Sequence, residues 1–184
     1  MKKTVLIWAL LCLPVVLHAQ LFGTITDAPQ HGLYGGIGVG PTTKDFSGAF
    51  GFAEKLPSMT ATYSYSGVTV IPAFITNANG SKSLTMATMA HTGVSQILYQ
   101  RNRFIASVDL GGGVTMPSNQ APAFNFAALG AFNLGWRLNK SYDGSSGGTN
   151  NYLAIRPQFT QLTGDRGGTV VSLGIGFFHG INGQ

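Results

Sequence analysis

Apolar residues recur along this chain with a period of two. Phe46, Phe50 and Phe52 alternate with Ser47, Ala49 and Gly51, and Met59, Ala61, Tyr63 and Tyr65 alternate with Thr60, Thr62, Ser64 and Ser66. The pattern returns at Phe104, Ala106, Val108 and Leu110 against Ile105, Ser107, Asp109 and Gly111. It returns again at Phe124, Phe126, Ala128, Phe132, Leu134 and Trp136 against Asn125, Ala127, Leu129, Ala131 and Asn133. Leu153, Ile155, Pro157 and Phe159 oppose Ala154, Arg156, Gln158 and Thr160, and Val171, Leu173, Ile175 and Phe177 oppose Ser172, Gly174, Gly176 and Phe178. Side chains alternate across a strand, so this periodicity predicts strands with one apolar face and one small or polar face.

Eight strands are predicted, at about residues 32–40, 45–53, 58–73, 84–99, 103–116, 122–138, 151–162 and 169–180. Turn-forming segments separate them: Pro41 to Lys44, Glu54 to Pro57, Asn77 to Ser83, Gln100 to Asn102, Pro117 to Pro122, Asn139 to Asn150 and Thr163 to Gly168. In the third strand the apolar parity changes across Ser66-Gly67. A β-bulge at Gly67 would absorb the extra residue, because glycine accepts the backbone angles that a bulge requires. A break there would instead raise the count to nine. No second domain, linker or repeat array is visible.

Charge placement sharpens this picture. Beyond residue 19, only Asp109 and Arg156 fall inside predicted strands; the remaining charges lie in turns, at strand ends or ahead of the first strand. Both interior charges share the parity of the small residues. A soluble sandwich or lipocalin-like barrel scatters Lys and Glu along its outer face. Here the face opposite the apolar one is Ser, Thr, Gly, Ala and Asn, which suits the lining of a barrel whose outside meets lipid. Backbone groups in hydrocarbon must all be paired, so a chain without long apolar helices crosses a membrane only as a closed barrel. Phe46, Tyr65, Tyr99, Trp136, Tyr152 and Phe159, near predicted strand ends, are candidates for the aromatic girdles of such a barrel. His91, Asp109, Arg156 and Gln158 form a candidate lumenal polar cluster, read either as a polar site for a small solute or proton or, as small barrels with filled interiors favour, as an internal ion pair that balances charge. The small residues on this face also admit a narrow water-filled path.

Composition removes several function classes. Charged residues make up 9% of the 184, while Gly reaches 26 and Phe 12; low charge with high hydrophobicity is the reverse of the signature of disorder. Two of the 11 basic residues, Lys2 and Lys3, precede the apolar run Val5 to Leu17, and no Lys/Arg stripe offers a nucleic-acid surface. Met1 to Ala19 has the plan of a secretory signal peptide cleaved after Ala19: basic start, apolar run, and Leu17-His18-Ala19 before Gln20. The run has 13 residues and contains Pro14, against about 20 for a membrane-spanning helix. Cys12, the single cysteine, lies in this leader behind Leu11, so lipid attachment is disfavoured and residues 20–184 carry no thiol.

The leader, the opening strand Leu33-Tyr34-Gly35-Gly36-Ile37-Gly38-Val39-Gly40 and the closing strand Val171-Ser172-Leu173-Gly174-Ile175-Gly176-Phe177-Phe178 resemble those of the small bacterial outer-membrane β-barrel family, the OmpA/OmpX-like barrels. The resemblance spans Leu33 to His179. It implies an eight-stranded antiparallel transmembrane up-and-down β-barrel in a Gram-negative outer membrane, an integral membrane protein in contact with outer-membrane lipid and with the insertion machinery. The implied role is structural, in membrane integrity, with a porin-like narrow pore as a variant. Family members usually finish on an aromatic residue, whereas this chain continues through His179 to Gln184. With the N-terminus periplasmic, the long gap Asn139 to Asn150 falls on the periplasmic side, where such barrels have short turns. Either that gap contains further strand or the topology is shifted by one.

Catalytic, cofactor and metal signatures are lacking. Gly35 to Gly40 lacks dinucleotide-binding spacing, and His31, His91 and His179 are far apart with no acidic pair nearby. Two other readings remain open. One is a soluble exported β-barrel with its Phe-rich face inward around an apolar ligand. The other is a lipid-modifying outer-membrane enzyme, for which His91 and Ser95 are the candidates.

Overall fold

The alternating segments form eight strands: β1 (His31–Val39), β2 (Phe46–Lys55), β3 (Thr62–Thr76), β4 (Lys82–Arg101), β5 (Phe104–Thr115), β6 (Asn125–Arg137), β7 (Thr149–Leu162) and β8 (Gly168–Ile181). The computed structural model describes residues 31–40, 46–57, 59, 61–77, 79–101, 103–117, 123–138, 149–164 and 167–181. The leader Met1 to Ala19, with Cys12, lies outside them. Every predicted strand is present, with no end displaced by more than four residues.

Each strand pairs antiparallel with its sequence neighbour, and β1 closes the sheet against β8. The fold is therefore an all-β, eight-stranded antiparallel up-and-down barrel. Its stagger can be read from the register. Stepping across paired residues from His31 leads through Glu54, Ser64, Val94, Leu110, Gly130 and Phe159 to Val171, yet His31 pairs directly with Ile181, ten residues further along β8. A stagger of this size over eight strands tilts them by about 40° to the barrel axis. The shortest strand, β1, has 9 residues, enough for the about 9–11 that a tilted spanning strand needs.

The two faces separate as the alternation predicts on β2 and β5 to β8. Phe50 and Phe52 on β2, Phe126 and Trp136 on β6, Leu153 and Ile155 on β7, and Leu173 and Ile175 on β8 are exposed on the outside. Asp109, Arg156, Gln158 and Ser172 point inward. Ile37, Ile155 and Ile175 meet side by side on three adjacent strands as the middle of an outward apolar row.

β3 departs from the expected pattern. There is no bulge at Gly67: its pairing runs unbroken opposite Gly51 on one side and His91 on the other. Tyr63 and Tyr65 therefore share the inward parity of Thr69 and Ile71, while Ser64 and Ser66 face outward. Ser64 Oγ donates to the Glu54 carbonyl, and Ser66 Oγ lies 2.9 Å from Thr92 Oγ1. The register shift sits instead on β4, between Ile97 and Tyr99. It lets Tyr99 lie outward beside Phe104, which in turn meets Trp136 edge-on at 5.1 Å between ring centroids.

The interior contains more apolar bulk than the sequence suggested. Ile71, Met89, Leu129 and Leu162 are almost fully buried and fill the part of the barrel toward the β3–β4 turn. The hydrophobic core is thus inside the barrel, while a second apolar surface covers its outside. The long gap after β6 is shortened at its C-terminal end by strand: Thr149 and Asn150 belong to β7. Residues 139–148 lie outside the described residues.

Candidate functional site: a lumenal polar network and its cavity

Glycines on β4 and β5 make room for the side chains that build this site. Tyr65 crosses from β3 over paired Gly93 and Gly111, where a Cβ on either would stand 2.6 or 2.5 Å from the Tyr65 hydroxyl. Tyr34 crosses from β1 over Gly51 and Gly67 in the same manner. Its hydroxyl reaches His91 Nε2 at 2.6 Å, and His91 Nδ1 lies 3.1 Å from Thr69 Oγ1. The Tyr34 and Tyr65 rings meet at right angles, with centroids 6.0 Å apart.

On the opposite wall, β5, β6 and β7 present Asp109, Asn133 and Arg156 toward each other. Arg156 Nη1 forms an ion pair with Asp109 Oδ2. The same nitrogen donates to Asn133 Oδ1 at 2.8 Å, and Asn133 Nδ2 donates to Asp109 Oδ2 at 3.0 Å and to Ser107 Oγ at 3.1 Å. Arg156 Nε donates to Gln158 Oε1 at 3.4 Å, and Gln158 Nε2 to Thr160 Oγ1 at 3.2 Å. A carboxylate and a guanidinium taken from water are tolerated only when paired and hydrogen-bonded. This network supplies both conditions.

The structure thus brings Asp109, Arg156 and Gln158 into one network, as the alternation implied. His91 also points inward, but its side chain is hydrogen-bonded to Tyr34 and Thr69. Asn133, Ser107 and Tyr34 were not singled out from the sequence. Asn133 and Ser107 sat on the correct parity, and that was the available signal; nothing local marks Tyr34, whose partner is 57 residues away. His91 and Ser95, the candidate enzymatic pair, both face inward on β4 without a hydrogen bond to each other.

A cavity of about 140 Å³ lies between the Tyr34, Tyr65, Asp109 and Arg156 layer and the barrel end that carries the β2–β3 and β4–β5 turns. Tyr63, Tyr152 and Phe178 gather at that end, with Phe178 6.3 Å from Tyr63 and 6.2 Å from Tyr152 between ring centroids. Arg137 Nη2 donates to the Tyr152 hydroxyl at 3.3 Å, and its guanidinium also lies 5.6 Å from the centre of that ring. A smaller hollow of about 30 Å³ lies beside Arg156, Gln158, Thr69 and Ser172.

Of the six expected girdle aromatics, Phe46, Tyr99, Trp136 and Phe159 are exposed on the outside. Tyr65 and Tyr152 are corrections: each is 4% exposed and lies inside the barrel. Gly93 and Gly111 offer Tyr65 an interior berth, while Phe178 and Arg137 hold Tyr152. Among the described residues there is no group of three or more His, Cys, Asp or Glu that could hold a metal ion. Comparison with known proteins returned no match, whether against family models, curated proteins or solved structures.

Proposed function

We propose that this protein is an integral outer-membrane β-barrel with a structural, non-enzymatic role, exported by a leader removed after Ala19. The observation that carries the proposal is the outer surface. Mid-strand outward positions hold Phe, Ile, Leu and Val in the open, including Ile37 at 70% and Phe50 at 64% exposure, while the strand-interior charges Asp109 and Arg156 are paired inside. Monomeric soluble proteins rarely expose contiguous apolar patches beyond a few hundred Å². Hydrocarbon is the solvent that suits such a surface. The Tyr99, Phe104 and Trp136 cluster sits at the end of the barrel holding both described chain ends, where a membrane–water boundary would place aromatics.

The apolar plug of Ile71, Met89, Leu129 and Leu162 and the bridged Asp109–Arg156 wall favour an anchor over a channel. Refolding from urea in the presence of lipid vesicles tests the membrane reading. The protein is expected to float with the vesicles in a density gradient and to resist added protease across its strands. Recovery as a soluble folded protein at the bottom of the gradient would overturn it and make the soluble exported barrel the leading account.

A further inference from the structure

The turn that joins β4 to β5 carries two arginines, Arg101 at the end of β4 and Arg103 just before β5, and both are exposed. Neither forms an ion pair among the described residues. Of the carboxylates among those residues, Asp109 is bound to Arg156 inside the barrel and Glu54 stands on β2, two strands from β4. The charge that the described residues present at this corner of the barrel is therefore positive.

The register fixes what lies beneath that charge. Arg101 pairs with Phe104 and Phe104 with Trp136, so the three stand in one row across neighbouring strands. Directly paired residues point to the same face, and Trp136 is on the outside, so Arg101 points outward as well. Tyr99, also outward, precedes Arg101 by two residues, which sets it about 7 Å back along the strand toward the barrel middle. Aromatics on the outside of a membrane protein lie at the level of the lipid head groups. Arg101 and Arg103 then stand on the water side of the cluster, where lipid phosphates lie.

A guanidinium matches a phosphate group, with two parallel N–H donors for two oxygens. In a zwitterionic phospholipid the head group's own ammonium balances the phosphate. An anionic phospholipid has no such internal cation, so two guanidinia without carboxylate partners favour it.

We infer that Arg101 and Arg103, above the Tyr99, Phe104 and Trp136 cluster, form a binding site for an anionic phospholipid in the leaflet at this end of the barrel. The guanidinia donate to the phosphate oxygens, and the upper part of the acyl chains lies against the three rings. The inference rests on the membrane reading of the outer surface and adds a preferred lipid class to it.

Residues 20–184 contain a single tryptophan, Trp136, so its fluorescence reads this site alone. The test is to refold the leaderless protein into vesicles of equal parts phosphatidylglycerol and phosphatidylcholine, in which one lipid or the other carries bromine near the glycerol end of its chains. Bromine quenches a tryptophan that it touches. The expected result is stronger quenching by brominated phosphatidylglycerol, corresponding to a local preference of about fivefold, the factor that one basic side chain near an anionic surface supplies. In the double variant Arg101→Gln with Arg103→Gln the preference is expected to fall to about one. Lys82→Gln, at the opposite end of β4, removes a charge away from the site and is expected to leave the preference unchanged. Equal quenching by the two lipids, a preference that survives the double variant, or the same loss in Lys82→Gln would each overturn the inference. No quenching by either lipid would overturn the membrane reading and the inference with it, so the two failures are distinct.

Discussion

Replacing Ile175 with Arg would report directly on the solvent around the barrel. Ile175 sits near the middle of β8, points outward at 55% exposure, and is flanked by Ile37 and Ile155 on the adjoining strands. Its side chain contributes little to the packed interior, so the substitution removes little native contact. In a bilayer, an arginine at the midplane of an outward strand position costs about 2–4 kcal/mol, and near the interface about 0–1 kcal/mol. In water, a substitution at such an exposed site usually changes stability by no more than about 0.5 kcal/mol. Thr169, outward on the same strand but near its end, supplies the depth control. Urea unfolding in lipid vesicles, followed by tryptophan fluorescence, is expected to show Ile175→Arg destabilised by about 2–4 kcal/mol and Thr169→Arg by less than about 1 kcal/mol. Ile175→Ala separates lost bulk from added charge. Equal, small effects of both arginine variants would refute the reasoning, because the middle of β8 would then be facing water.

Four further outcomes are expected. Arg156→Met leaves the Asp109 carboxylate without its cation and is expected to cost about 3 kcal/mol in the same titration, at the low end for breaking a buried pair because the Arg156 side chain is 20% exposed. The double variant Asp109→Asn with Arg156→Met is expected to recover at least about half of that, since neither charge then remains unpaired. Gly93→Ala forces a Cβ to 2.7 Å from the Gly111 Cα and 2.6 Å from the Tyr65 hydroxyl, and is expected to cost about 1–3 kcal/mol, the usual range for overpacking. In planar bilayers the purified protein is expected to give no conductance above that of bare membrane, as the plug around Met89 and Leu129 implies; steady single-channel steps would contradict that filling.

The strand pattern was legible because most strands have two chemically distinct faces; the tilt was not, because it is set by the register stagger around the closed sheet, which no single strand shows. Asp109 and Arg156 were legible as lumenal because they alone broke the absence of charge within strands. β3 was misread for a physical reason. An aromatic can occupy an inward position when glycines on neighbouring strands vacate the space beneath it, and Gly93 and Gly111 lie 28 and 46 residues beyond Tyr65. Period-two counting sees hydrophobicity, not the partner's missing side chain. The interior plug was not singled out either: Ile71 stands at the parity opposite Val68 and Val70, and Met89 two residues before His91, so both lay on the inward side without any local mark of core. Tyr152 was misplaced because an inward tyrosine needs a polar partner, and Arg137, 15 residues earlier, supplies it across a strand pair.

The central claim is that this closed barrel resides in an outer membrane. The full-length chain should be expressed in a Gram-negative host, the membranes fractionated, and the outer-membrane fraction run unheated and boiled on an SDS gel. A closed barrel that resists detergent until heated is expected to appear in that fraction and to change mobility on boiling. A soluble periplasmic protein with the same mobility under both conditions would contradict the account.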